Sequence, residues 1–162
     1  MSHDHNLHIE ETQDAEMLMT LNHEAQQCHV EMFPHIFKPT VAEEILDFFR
    51  KMVADNTFKH LIAYVDGEPA GFIQMEFQTR RENPFKYATR CLYVHQMCVL
   101  SKYRRTGVGR ELLQVAEQYA RNAGIYRLEL DYWTENTVAK TFYNHLGYRI
   151  FHEQVKKDIL EE

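Results

Sequence analysis

The sequence predicts an α/β (α+β) fold in one domain spanning residues 1–162. The expected architecture is a mixed, mostly antiparallel sheet with a central parallel βαβ unit and helices on both faces. Three observations carry this. A chain of 162 residues with 44% apolar and 26% charged residues has the size and composition of one globular domain with its own core. Two amphipathic helical stretches come first and are followed by a β-rich run broken at Asp66-Gly67, a hairpin signal. A strand–helix–strand run from Arg90 to Trp133 then has the length of a βαβ unit, whose two strands would be parallel with a right-handed crossover.

The elements follow in order. Leu7–Glu11 reads as a short strand. Asp14 suits a helix N-cap, with Met17, Leu18, Leu21, Ala25 and Cys28 at helical spacing. His29–Pro39 reads as irregular, broken by Pro34 and Pro39. Thr40-Val41-Ala42-Glu43 has the form of a capping box opening a second helix with Ile45, Leu46, Phe49, Met52 and Val53 on its apolar face. His60–Val65 and Ala70–Phe77 are the strands of the hairpin. Gln78–Thr89 is a polar, locally basic connection, and Arg90–Leu100 a long strand. A helix over Gly107–Asn122 ends at Asn122-Ala123-Gly124. Arg127–Trp133 is the next strand, Asn136 caps a short helix ending at Gly147, and Tyr148–Val155 is expected as a final strand.

Composition narrows the function. Eighteen basic against twenty-four acidic residues give a formal charge of −6, which disfavours a dedicated nucleic-acid binder. No apolar run approaches the length of a membrane span, and Met1–Glu11 lacks the layout of a signal peptide. Cys28, Cys91 and Cys98 are an odd set without close-spaced pairs, so free thiols in a cytoplasmic protein are expected. His3, His5 and His8 read as a flexible polar N-terminus, and no metal site is expected.

The informative stretch is Ser101-Lys102-Tyr103-Arg104-Arg105-Thr106-Gly107-Val108-Gly109-Arg110, which follows a strand and opens a helix. Lys102, Arg104, Arg105 and Arg110 give it four positive charges and no acid. Two glycines one residue apart allow close backbone approach, and a helix start offers unpaired N–H groups and the positive end of a dipole. This describes a site for a phosphorylated ligand. It is neither a Walker loop nor the dinucleotide fingerprint, since no Gly-Lys-Ser/Thr and no third glycine follow.

The strand Tyr93–Leu100 with Arg104-Arg105-Thr106-Gly107-Val108-Gly109 resembles motif A of the GCN5-related N-acetyltransferases, the GNAT family. Leu130–Asn136, Ala139 and Phe142-Tyr143-Asn144-His145-Leu146-Gly147-Tyr148 are similar to its motif B. Motif A would occupy about 90–122 and motif B about 127–150; residues 7–77 follow the family only in element order. The resemblance implies an enzyme moving an acetyl group from acetyl-CoA to a primary amine of a small molecule or peptide, by direct attack in a ternary complex. It implies that the amides of Arg104, Arg105, Thr106, Gly107, Val108, Gly109 and Arg110 hold the pyrophosphate. It further implies that Asn136 contacts the cofactor and that Tyr143 protonates the departing sulfur. The backbone near Met97, Cys98 and Val99 would supply oxyanion donors where the strand bulges.

His95 matches a histidine used as base in the arylalkylamine branch of the family, with Tyr93 a weaker candidate. Glu129 and Asp131 are either acceptor-lining groups or solvated strand polars. Phe33, Phe37, Tyr132 and Trp133 are candidate walls of an acceptor pocket or simply core. The alternative reading from another class is an acyl-CoA-binding sensor without turnover. The motifs do not name the acceptor, and family members often pair, which leaves a homodimer open.

Overall fold

The structure, a computed structural model, describes residues 6–159. Its contacts gather into two units that meet in sequence at Asp131 and Tyr132.

The first unit is built on a five-stranded sheet in the order β1-β2-β3-β4-β5. Its strands are β1 (Leu7–Glu11), β2 (Phe58–Val65), β3 (Glu68–Arg80), β4 (Thr89–Val99) and β5 (Leu128–Leu130), with helices α1 (Ala15–Met32), α2 (Ala42–Ala54) and α3 (Val108–Asn122). All neighbouring strands are antiparallel except β4 and β5, which are parallel and joined through α3, as the βαβ spacing predicts.

Local chemistry explains each piece. Asp14 accepts a hydrogen bond from the Met17 amide at 2.9 Å and so caps α1. The β2–β3 turn places Asp66 at φ 52° and Gly67 at φ 84°. Left-handed backbone at both positions is the turn whose twist matches a two-residue hairpin. Leu61, Ile62 and Ala63 in β2 are successive and all buried, so this strand is covered on both faces. Alternation puts Ile62, Phe72 and Cys98 on one face, where they form a core with Ala15, Leu18 and Leu21 of α1 and Phe49 of α2. Helix α3 packs on the sheet and buries Leu112, Leu113, Ala116 and Ala120 on its inner side.

Four expectations change. Helix α1 runs on through Met32, because the residues after Cys28 remain helical until Phe33. Helix α2 starts with Val41 at its N-cap and no side-chain cap, so the Thr40–Glu43 box does not form. Strand β3 extends to Arg80 and β4 starts at Thr89, which shortens the polar connection to a hairpin loop. Strand β5 covers only Leu128–Leu130, and residues 148–155 form no strand, so β5 is outermost among the described residues.

The second unit contains α4 (Thr137–His145), capped where expected: Asn136 accepts from the Ala139 amide at 3.0 Å. Gly147 follows the helix in left-handed backbone, φ 87°.

One polar row crosses the helix-covered face beside the apolar core. His60, Gln74 and Gln96 are in register on β2, β3 and β4. Gln74 Nε2 donates to His60 Nε2 at 3.0 Å, and Asn22 of α1 donates to Gln96 at 2.8 Å. His60 is 2% exposed. Burial pushes its pKa down to about 4, against a weak opposing pull from Glu11. A histidine lowered in the fold stays neutral while the unfolded chain takes up a proton, so stability falls as pH drops through the unfolded value. Between pH 7 and 5 this group should cost about 2 kcal/mol. Urea unfolding at the two pH values should show that loss in the wild type and a much flatter dependence in His60→Gln.

Candidate cofactor and catalytic site

Strand β4 carries one residue more than its partner. Gln74 pairs with Gln96 and Met75 with Val94, so His95 is the extra residue of a β-bulge. The bulge reverses which way successive backbone groups point. Before it, the Leu92 amide donates to Arg127 O on the β5 side at 2.9 Å; after it, the Leu100 amide donates to Ala70 O on the β3 side at 2.9 Å. Both residues are even-numbered, and a regular strand would aim them alike. The amides of Met97 and Val99 therefore point away from β3, toward the β5 side.

On that side, pairing with β5 stops at Val94–Leu130. Strand β5 ends there, and on this side the backbone of Met97 and Val99 has no strand partner among the described residues. The side chain of Cys98 belongs to the core. Its thiol is 5% exposed and is pushed up to about 11, chiefly by burial and then by the charge of Glu24, which is unsuited to a nucleophile.

The chain leaves β4 through a 3₁₀ turn, Ser101–Tyr103, into α3. Gly107 is the N-cap of α3, at φ 94° and without a side-chain cap. The N–H groups of Val108, Gly109 and Arg110 have no carbonyl one turn earlier in the helix. Arg105, at φ 65°, is also left-handed, so left-handed residues flank Thr106. Backbone alternating in this way turns successive N–H groups toward one side and makes an anion-binding concavity. Thr106 Oγ1 closes the bend on Tyr103 O at 2.6 Å.

The positive charge of this segment is arranged differently from the sequence expectation. Glu24 of α1 accepts from the Ser101 amide at 2.9 Å and from Arg104 Nη2 at 3.0 Å. Arg104 Nε also donates to Val99 O at 3.1 Å. The Arg104 side chain thus ties the bend to β4 and α1, and an acid does reach the segment. Lys102 Nζ lies 4.7 Å from the centre of the Tyr103 ring. Arg105 and Arg110 are exposed and form no ion pair among the described residues.

His95 sits at the bulge with its ring between Phe58, centroid distance 5.3 Å, and Tyr93, 4.8 Å. Its Nε2 is 2.7 Å from Glu76 Oε2. Tyr93 donates to Asp131, and its phenol is raised by burial first and by that bond second. The reading of Glu129 as a solvated strand polar does not hold. It is 5% exposed and takes Arg80 Nη2 and Arg127 Nε, each at 2.7 Å. Burial would raise its pKa, but the two guanidiniums outweigh that and hold it below the usual carboxylate value.

In the second unit Tyr143 is buried among rings. Tyr132 stacks on it at 5.9 Å, and Phe142 and Tyr148 meet it edge-on at 5.2 and 5.5 Å. Asn136 uses its side-chain oxygen as the α4 cap. Phe33 and Phe37 lie 6.2 Å apart in the first unit, with Phe37 stacked on His29 at 4.7 Å. His3 and His5 lie outside the described residues.

This parallel pair, whose ladder stops at Val94, and the uncapped helix start meet a matching family model. Residues 18–148 match the model described as the acetyltransferase (GNAT) family. The chain belongs to that family.

Solved structures agree in fold. A tetramutant of the BH1408 protein from Bacillus halodurans is 22% identical with a TM-score of 0.87, covering 94% of this chain and 99% of that one. The aminoglycoside N-acetyltransferase AAC(6')-Iy, in complex with CoA, is 15% identical with a TM-score of 0.72 and 98% coverage of each chain. AAC(6')-IG from Acinetobacter haemolyticus is 16% identical with a TM-score of 0.72, covering 96% and 99%. No curated protein matches the chain.

Within this GNAT chain, the residues of 95–110 named from sequence do fall on one continuous bulge–turn–helix segment. Sequence reading missed Glu24 and Glu76. Both are single acids on otherwise ordinary elements, far in sequence from the groups they hold. Replacing Glu24 with Ala should free the turn it anchors. Hydrogen exchange at the Ser101 amide should speed up by about tenfold or more, with amides in mid-β3 unchanged.

Proposed function

We propose that this GNAT protein is an acetyl-CoA-dependent N-acetyltransferase acting on a primary amine, through one domain over residues 1–162. The observation that carries the reading is the end of β4–β5 pairing at Val94, with the bulge turning the Met97 and Val99 amides toward the side left unpaired. The solved structure of AAC(6')-Iy with CoA, and another with a CoA-linked acetylneamine bisubstrate analogue, support acyl-CoA as the donor.

Each group then has a task. The Arg104 amide is already given to Ser101 O at 3.2 Å, so the diphosphate of CoA is held by the N–H groups from Arg105 to Arg110, with the α3 dipole and the exposed Arg105 and Arg110 adding favourable charge. The thioester lies along the opened edge, and the Met97 and Val99 amides hydrogen-bond its carbonyl oxygen as negative charge develops there. Loss of one such donor is worth about 10²–10³ in rate. An ammonium has no lone pair, so the acceptor first gives a proton to His95. The amine nitrogen forms the C–N bond, the C–S bond breaks, and the new amide loses its surplus proton. The sulfur takes a proton from Tyr143, which regains one from the amide side through solvent.

Mixing the protein with acetyl-CoA and a panel of amines, while following free thiol and the acetyl mass increment on each amine, tests the reading. Thiol release with an acetylated amine is expected; CoA binding without turnover on any amine would favour a sensor instead. Two variants address the roles. Gly107→Val should weaken CoA binding about tenfold or more by calorimetry, because a β-branched residue resists left-handed backbone. Tyr143→Phe should lower kcat by about 10²-fold and leave CoA affinity within twofold.

A further inference from the structure

We propose that Glu76 is a positioning residue that fixes the tautomer and orientation of His95, an inference that rests on the base role given to His95 above. The carboxylate of Glu76 stands 2.7 Å from His95 Nε2. A carboxylate can only accept, so this contact places the ring hydrogen on Nε2 and leaves the lone pair on Nδ1. Among the described residues Nδ1 has no hydrogen-bond partner, while the side chain as a whole is one-third exposed. Glu76 is itself held from its other side, where Gln78 Nε2 donates to the same Oε2 at 2.7 Å.

The ring cannot readily turn away from this arrangement. Phe58 and Tyr93 flank it, and the Tyr93 hydroxyl is tethered to Asp131. The register brings Phe58, Glu76 and Tyr93 into one row across β2, β3 and β4, all three half-buried. The bulge then puts His95 beside that row, and no regular strand would. The titratable and charged groups around this row are Glu76 and Arg80 from β3, Tyr93 from β4, His60 from β2, and Arg127, Glu129 and Asp131 on and beside β5. Of these Tyr93 packs its ring against the imidazole, and only Glu76 hydrogen-bonds to it.

During turnover the acceptor ammonium gives its proton to Nδ1, and the Nε2–H bond to Glu76 stabilises the cation that results. The proton then leaves to solvent, so no further reactant is needed. With Gln at position 76 the side chain keeps its size but loses the carboxylate charge, and its amide can meet Nε2 with either its oxygen or its N–H, so the Nε2–H tautomer is no longer imposed.

The test is a cycle of steady-state measurements on the full chain with acetyl-CoA and an accepted amine. His95→Ala is expected to lower kcat by about 10²-fold. Glu76→Ala and Glu76→Gln are expected to lower kcat by about 10–100-fold with the KM for acetyl-CoA within twofold. Adding Glu76→Ala to His95→Ala should change the rate by less than twofold, because Glu76 acts only through the ring. The isosteric Glu76→Gln guards against misfolding, since its CoA affinity should match the wild type. If His95→Ala loses rate but both Glu76 variants keep it, Glu76 has no positioning role while the base assignment stands. An undiminished loss from Glu76→Ala on top of His95→Ala would also overturn the proposal. If His95→Ala itself keeps full rate, the base assignment fails and Glu76 loses its task with it.

Discussion

One surplus residue in β4 governs the chemistry of the first unit. A strand exposes its backbone groups alternately to its two neighbours, and a bulge at His95 shifts that alternation by one. Without the shift, Met97 and Val99 would spend their amides on β3 and nothing would face the side where β5 ends. With it, a stretch of backbone is turned outward inside a sheet that otherwise satisfies its own hydrogen bonds. The same distortion lifts a histidine out of the register and sets its ring between Phe58 and Tyr93.

What lies on either side of the bulge keeps it in place. Buried apolar residues on both faces of β2 and β3 make that part of the sheet rigid. Glu24 of α1 then fastens the turn after β4, so helix and strand hold the bend from two directions. The bend tolerates a left-handed arginine at position 105, a conformation that costs about 1–3 kcal/mol and persists where surrounding contacts determine it.

Much of this could be read from residue order alone, for local reasons. The Asp66-Gly67 turn, the Asp14 and Asn136 caps and the Gly107 helix start are decided by one or two side chains and their immediate backbone. The Arg104–Arg110 segment was legible because glycine and arginine report directly on backbone approach and charge. What was not legible depends on distant partners. Glu24 and Glu76 look like any solvated acid until the fold brings Arg104 and His95 to them. Glu129 read as a solvated strand polar or an acceptor-lining group, and only the convergence of Arg80 and Arg127 makes it a buried ion. The final strand expected over Tyr148–Val155 does not form, because a strand needs a neighbouring edge and no strand pairing reaches those residues.

The Arg80–Glu129 contact has a mechanical meaning. Arg80 is on β3 and Glu129 on β5, so the guanidinium reaches over the whole width of β4 to make it. A strand only three residues long has few ladder bonds of its own, yet it is strapped to its second neighbour as well as its first. The β4–β5 ladder is thereby anchored from β3 at Tyr93–Glu129, the row next to the one where it ends.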